Sequence, residues 1–531
     1  MPDFKPTVGI DLGTTFSAIA YIDEHDQPVV IHNQEGKSTT PSVVNFGDQD
    51  CYYVGDEAVK MLIPDSENTV SFIKNHMGEE GYYKKIHNDT YSPQKISAYI
   101  LKKLKQDAET YFKQKGYEFD IKDAVITVPA YFGMERMSAT KDAGELAGLN
   151  VLMILNEPSA AALAYGINRT GRNQRVFVFD LGGGTFDVTI LEITGTDINM
   201  VAADGDPNIG GKDWDAILIN YCTSIFKDKY GDDPCDDLNS YQELYEKVLS
   251  AKISLSQRDR TKIVFTHNGN KEIIEITREK FEELSHNLLD VCRRRSAVVL
   301  EKANKEWADI DTILLVGGST YMPMIKNLIK KISGKDPSLD VNPDECVAIG
   351  AAYQARYRFI EEEVKNVILE KGENAAEKIK KELLGALPDI KIKECVAKPL
   401  GCVVKPDSKT GRDVVEIIPE QTAIPFKVSR SDFTYSEDNQ TGVCVEITEG
   451  KGSKKDDVSI IGKIELHNLP PRKKGDIINI TYTMTRDKII EIEVKDVDTG
   501  KMQKGTVKLN GQMSEENISI QRDLIANQTL H

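Results

Sequence analysis

The sequence predicts an α/β domain built on a duplicated unit, followed by an all-β sandwich. Three observations carry this. A short pattern occurs twice: Val8-Gly9-Ile10-Asp11-Leu12-Gly13-Thr14-Thr15-Phe16 is echoed by Phe177-Val178-Phe179-Asp180-Leu181-Gly182-Gly183-Gly184-Thr185-Phe186. Strand-like and helix-like segments alternate up to about residue 358, as they do in α/β domains. From about residue 394 to 510 the text changes to short alternating apolar runs between turn residues, the pattern of a β-sandwich.

Each copy of the repeat is an apolar strand, then Asp-Leu-Gly, small residues and threonine, then a second apolar run. This spacing predicts two β-hairpins with glycine-rich tips. Glycine lets backbone N–H groups approach an anion, and threonine hydroxyls add donors. Two such cradles with Asp11 and Asp180 between them suit a phosphate chain and a divalent cation.

A helix is expected from Ser92-Pro93 to about Gly116, with Ile96, Ile100, Leu104, Ala108 and Tyr111 on its apolar face. Ala124–Val128 reads as a strand, and Glu135–Ala147 as a helix ended by Gly148. Ile313–Val316 reads as a buried strand running into Gly317-Gly318-Ser319-Thr320, a turn expected to open a helix and bind an anion. Residues 345–383 read as one long helix plus a connecting segment, its charged run a solvated face. The sandwich strands include Val443–Ile447, Ile460–Leu466 and Ile489–Val494. The tail reads as short and polar, with a helix start at Ser514-Glu515-Glu516.

Bulk properties narrow the class. The chain has 531 residues, room for about two to four domains. Its net charge of -17 disfavours nucleic acid as a general partner. No apolar run reaches the roughly 18 residues of a membrane span. The opening Met1-Pro2-Asp3-Phe4-Lys5 lacks the basic and apolar regions of a leader, so a cytoplasmic location is expected. Eight cysteines lie scattered without a Cys-x-x-Cys pair, and eight histidines are equally dispersed. Reduced thiols and no zinc cluster are expected.

At this point the motifs resemble the heat-shock-70 (DnaK-like) chaperone family over about residues 6–510. The residues that carry it are Gly9–Thr15, Thr127-Val128-Pro129-Ala130-Tyr131-Phe132, Asn156-Glu157-Pro158-Ser159-Ala160-Ala161, Asp180–Asp187, Val316–Thr320, Asn342-Pro343-Asp344-Glu345 and Glu437-Asp438-Asn439-Gln440. The resemblance implies an actin-like ATPase domain at 1–383, a linker at 384–396, a β-sandwich peptide-binding domain at 397–510, and a polar tail at 511–531 without a helical lid.

It also implies residue roles. Gly13, Thr14 and Thr15 resemble the first phosphate loop, and Gly182, Gly183, Gly184 and Thr185 the second. Asp11, Glu157 and Asp180 match magnesium-site carboxylates that act largely through water. Lys74 resembles the lysine that orients the attacking water, and Glu157, Asp180, Thr185 and Asp187 match hydrolysis positions. Lys252, Ser256, Gly317, Gly318, Ser319, Tyr321 and Asp344 match the nucleoside side. Cys402, Phe433, Val443 and Val445 match the peptide pocket. ATP or ADP and Mg2+ are the implied ligands. Unfolded or extended polypeptide, a J-domain protein, a nucleotide exchange factor and a larger assembly are the implied partners.

Several positions depart from the family pattern. Asn75, Ile253 and Tyr321 stand where arginines are usual, and Leu249 where a ribose-binding glutamate is usual. Losing cationic stacking on the base predicts weaker or faster-exchanging nucleotide binding, with Tyr321 able to stack instead. Met137 stands where another arginine is usual, with Arg136 beside it. Ile390–Val396 replaces a leucine-rich linker, and polar Lys405 and Ser436 replace the arch over the peptide. Two readings stay open. One is an ATP-hydrolysing chaperone that binds extended apolar peptide by strand contacts. The other is a non-cycling cochaperone or scaffold that holds nucleotide structurally. A sugar kinase or filament on the same nucleotide fold is set aside by the sandwich and the Thr127–Phe132 stretch.

Overall fold

The computed structural model describes residues 5–47, 51–167, 169, 171–405, 411, 413–507 and 509–530. The opening Met1–Phe4, on which the leader reading rests, lies outside them. The repeated sequence becomes a repeated sheet. Val8–Asp11 pairs antiparallel with Phe16–Ile22, and Gln174–Leu181 pairs antiparallel with Phe186–Thr194. Each hairpin takes a parallel neighbour on the same side, Asp123–Val128 in the first sheet and Thr312–Val316 in the second. Apolar residues point both ways from these strands because helices cover them; the successive Phe177, Val178 and Phe179 are all fully buried.

The helix Pro93–Gln114 begins as its sequence predicts. Ser92 Oγ accepts from the Lys95 amide at 3.3 Å and Pro93 sits in the first turn. Residues 345–383 form two helices rather than one. Cys346–Lys371 ends at Gly372, whose φ of 83° breaks the run before Glu373–Leu384. The first of these packs on the first repeat. A Cβ on Gly9 would lie 1.9 Å from the Ala352 nitrogen, and one on Gly350 would lie 1.8 Å from the Ala160 carbonyl oxygen. The helix therefore touches strand Val8–Asp11 and helix Glu157–Gly166 backbone to backbone.

Lys391–Lys393 forms an edge strand, parallel to Asp197–Asp206, on the second repeat's sheet. Beyond it lie two four-stranded antiparallel sheets. One holds Val414–Ile418, Leu400–Val403, Val443–Glu449 and Ser459–Leu466; the other holds Phe426–Thr434, Ile477–Met484, Ile490–Asp496 and Met502–Thr506. A single apolar cluster joins them, with Leu400, Val445 and Ile447 against Ile480, Tyr482 and Ile492. The Tyr482 hydroxyl crosses between sheets to donate to the Gly401 carbonyl at 3.0 Å.

The sandwich sits against the first repeat. Glu449 accepts from the Met134 amide at 3.0 Å, and so caps the positive end of helix Met134–Leu146. Gly133 allows this approach, since a Cβ there would lie 2.0 Å from the Glu449 carboxylate. The chain then returns to the first repeat. Helix Glu515–Ala526, capped by Ser514, buries Ile518 and Ile525 in its core. Lys102 Nζ donates to the Ile525 carbonyl at 2.6 Å, and Thr529–Leu530 pairs parallel with Cys51–Tyr52.

The docked sandwich imposes a pH dependence through Glu135. Burial first, and then the charges of Glu449 and Glu80, push its carboxyl up to about 7 against the pull of Lys398. A raised carboxyl pKa means the folded chain keeps a proton that the unfolded chain releases. Stability from this group is complete below about pH 4.5 and is lost as pH rises through 7. Glu135→Gln is therefore expected to gain about 1 kcal/mol at pH 8, after discounting for solvent screening, and almost nothing at pH 4.5. Denaturant unfolding at the two pH values checks this; an equal offset at both would contradict it.

Candidate phosphate and metal site

The two hairpin tips meet. A Cβ on Gly183 would lie 1.8 Å from Thr15 Oγ1, and one on Gly184 would lie 2.6 Å from Thr14 Cγ2. Only glycine at the second tip permits this contact. The first tip is braced from below: Ser17 Oγ accepts from the Gly13 amide at 3.2 Å, and Ser42 Oγ donates to the Gly13 carbonyl at 2.8 Å. The second is closed by the Gly182 amide donating to the Thr185 carbonyl at 3.1 Å.

Beneath the tips lies a cluster of buried charge. Lys74 pairs with Glu157 at 2.5 Å, with side-chain exposures of only 5% and 10%. Lys74 enters from a 3-10 turn that follows Phe72, whose φ of 56° is strained for a bulky residue. Glu157 opens helix Glu157–Gly166 as the acidic residue of its first turn. Thr127 Oγ1 donates to Asp11 at 3.2 Å. Loss of water and the Glu157 charge push the Asp11 carboxyl up to about 7, with Lys74 opposing. Asp180 rises for the same reasons, burial first and then Glu157 and Asp11. Asp187, opposite Asp180 in the hairpin register, rises through burial and the Asp180 charge. One lysine thus faces four carboxyl groups.

The donor set fits a hydrated cation and a phosphate chain. Thr15 Oγ1 and Asp187 Oδ1 are buried without hydrogen-bond partners, as is the Asn75 Oδ1 that lies near Gly184. Burying unsatisfied oxygens in a polar cleft is costly unless a ligand or water completes them. Among the described residues, no three carboxylate, histidine or cysteine side chains converge closely enough to hold a metal ion directly.

The residues expected on the nucleoside side come to the same rim. Ser319 Oγ donates to the Gly182 carbonyl at 2.9 Å. Gly318 approaches Asp344, where a Cβ would lie 3.1 Å from Oδ1. Lys252 is engaged by Asp215 at 2.7 Å and by the Gly211 carbonyl at 3.1 Å. Ser256 Oγ turns back to the Lys252 carbonyl at 3.4 Å. Tyr321 is 44% exposed and its hydroxyl reaches Asn342 Oδ1 at 3.0 Å. The Gly317-Gly318 turn leads into a 3-10 turn, Gly318–Tyr321, and the helix opens only at Pro323. The helix thus opens at Pro323, as expected, one 3-10 turn after the glycine pair.

Gly210 and Gly211 belong to this site and were not singled out from the sequence. The Gly211 amide donates to the Gly182 carbonyl at 2.9 Å, and the Lys212 amide to Gly183 at 2.9 Å. The signal was present, a glycine pair opening helix Gly211–Tyr230. Asp215, which holds Lys252, carried none.

The positions expected to line a peptide pocket divide. Cys402 and Val445 are buried in the sandwich core, while Phe433 and Val443 are only partly covered. Lys405, expected at one side of an arch over the peptide, pairs with Glu437 at 2.6 Å, the neighbour of Ser436, expected at the other.

Two touching glycine loops over buried carboxylates and one lysine, joined to a β-sandwich, define a phosphate-gripping protein with an appended sandwich domain. The family model described as Hsp70 protein matches residues 7–90, 80–373 and 387–528, and the chain belongs to the Hsp70 family. It is similar to the chaperone protein DnaK of Thermosipho melanesiensis, at 41% identity over 96% of this chain and 82% of that protein. The DnaK of Thermosipho africanus is 41% identical over 96% and 81%, and that of Thermotoga neapolitana 40% over 96% and 82%. No helix among the described residues is long and apolar enough to cross a membrane.

Proposed function

We propose that this chain is an ATP-hydrolysing chaperone that binds extended apolar polypeptide, with an actin-like nucleotide domain over residues 1–383, a linker over 384–396, the sandwich over 397–510 and the docking tail over 511–531. The observation that carries it is the buried Lys74–Glu157 pair beneath two glycine tips in mutual contact. Gly13, Thr14, Thr15 and Gly182–Thr185 would hold the phosphates. Asp11, Glu157 and Asp180 would hold Mg2+ through water. When bound, the cation supplies positive charge against the phosphate oxygens. Lys74 and Glu157 orient the attacking water, and the closed tips keep other water away; phosphoryl transfer needs positioning and charge more than covalent help. Lys252, Ser256, Gly317–Ser319, Tyr321 and Asp344 would hold the nucleoside, and Cys402, Phe433, Val443 and Val445 the peptide side. Unfolded polypeptide, a J-domain protein and a nucleotide exchange factor are the proposed partners, and the cytoplasm the proposed location. The non-cycling scaffold reading is not favoured, because a scaffold has no use for a complete hydrolysis cluster.

The test is steady-state ATP turnover with and without an apolar heptapeptide, with Lys74→Ala as the control. Turnover above the control and stimulation by peptide are expected. Equal inertness of both proteins would overturn the reading.

Tyr321 is expected to replace part of the missing cationic contact on the base. Tyr321→Ala should weaken ATP binding about three- to tenfold, the range of one aromatic stacking contact, and leave the turnover number at saturating ATP unchanged. Calorimetric titration with ATP and with inorganic triphosphate separates the base contribution; equal weakening for both would contradict it.

A further inference from the structure

Lys488 occupies a position unfavourable to lysine on two counts. It lies in the turn between strands Ile477–Met484 and Ile490–Asp496, with a left-handed φ of 60°, a conformation glycine takes without cost. Its side chain is only 6% exposed, so its ammonium has lost nearly all its water. Both penalties are offset by contacts that leave the sandwich. Lys488 Nζ pairs with Glu394 at 2.7 Å and donates to Asn156 Oδ1 at 3.2 Å. Glu394 in turn accepts from the Asn156 amide at 2.9 Å. Three segments close a triangle: a sandwich turn, the residue just past the edge strand Lys391–Lys393, and the last residue of strand Asn150–Asn156. The next residue is Glu157, partner of Lys74. Asp487, beside Lys488, pairs with Arg358 on the long helix, so the turn is pinned at two points.

We propose that Lys488 is a positioning residue, a buried latch that clamps the docked sandwich to Glu394 and Asn156 and thereby sets where Glu157 stands against Lys74. This rests on the ATP-hydrolysing reading for its consequence, though not for its geometry. A buried ion pair adds little net stability, because both charges surrender water to form it. Losing one partner is different: it strands the other charge inside the docked interface. The latch therefore acts on the docked arrangement specifically, and undocking returns both groups to water.

The test uses the full chain and three proteins: wild type, Lys488→Gly, and Lys488→Gly combined with Glu394→Gln. Glycine relaxes the turn, so a role confined to backbone conformation predicts no loss. Amide exchange over residues 150–157, read by mass spectrometry without nucleotide, is expected to quicken at least tenfold in Lys488→Gly. It should return to within threefold of wild type in the double variant, where a neutral amide oxygen still accepts from Asn156 and no charge is stranded. In turnover, Lys488→Gly should alter kcat at least fivefold while KM for ATP stays within twofold. Unchanged exchange in Lys488→Gly, or a double variant no better than the single, overturns the latch. A change in KM with kcat unmoved overturns its positioning role. A wild type without ATP turnover would sink the functional reading and not the latch, since the exchange measurement needs no hydrolysis.

Discussion

Replacing Lys74 with methionine is expected to slow ATP hydrolysis about a hundred- to a thousandfold, the usual result of removing one fixed charge or donor aimed at a developing transition-state charge. ATP affinity should fall by much less, because the tips Thr14, Thr15 and Gly182–Gly184 remain. The same change has a second consequence. Lys74 is the cation facing Asp11, Glu157, Asp180 and Asp187, and its charge lowers the pKa of Asp11, Asp180 and Asp187. Without it, metal-free protein must bury those acids uncompensated or protonate them. Breaking a buried pair this way costs about 3–5 kcal/mol. The loss should be greater at pH 8 than at pH 6, because protons neutralise the stranded carboxyls at the lower pH. Mg2+ should restore part of the stability. Single-turnover hydrolysis and denaturant unfolding at both pH values check this; a variant that hydrolyses ATP at the wild-type rate would contradict it.

Gly9→Ala is expected to destabilise the first repeat by about 3 kcal/mol, the upper part of the overpacking range. The added methyl would lie 1.9 Å from the Ala352 nitrogen and 2.3 Å from the Ala351 carbonyl carbon. Both are backbone atoms of helix Cys346–Lys371, so no side-chain rotation relieves the clash. The helix cannot simply lift away, because Gly350 holds it against Ala160 in the same manner. Asp11 lies two residues along the strand from Gly9 and moves with it. Weaker ATP·Mg2+ binding should therefore accompany the lost stability. Unfolding and calorimetric titration of the purified variant provide the check. Wild-type values in both would show that the helix and strand separate more readily than their backbone contact implies.

Much of the site was legible before folding because its chemistry is local. A glycine-rich tip announces itself over a few residues, since only glycine allows the Gly183–Thr15 approach. The cap at Ser92 and the break at Gly148 were legible for the same reason. Lys74 had no local signature and was reached through resemblance. Its partner stands 83 residues away, and periodicity carries no information across that distance. Gly210 and Gly211 bore the same signal as Gly317 and Gly318 and could have been found by it. The strong charge of residues 345–383 hid the break at Gly372, where one left-handed residue divides two helices. In the tail, Ser514 marked a helix start, but nothing marked where Ile518 and Ile525 would pack.

The sequence by itself determined the repeated hairpins, their glycine tips, the change from α/β to all-β text and the supply of acids beside the tips. These follow from backbone sterics and alternation, which act within a few residues. Tertiary structure alone decided which charges meet. It paired Lys74 with Glu157, closed Lys488 on Glu394 and Asn156, set Glu449 on the end of helix Met134–Leu146 and returned the tail to the first repeat. Those contacts join residues far apart in the chain, and a charge buried in one segment is tolerated only when folding brings its counterpart from another.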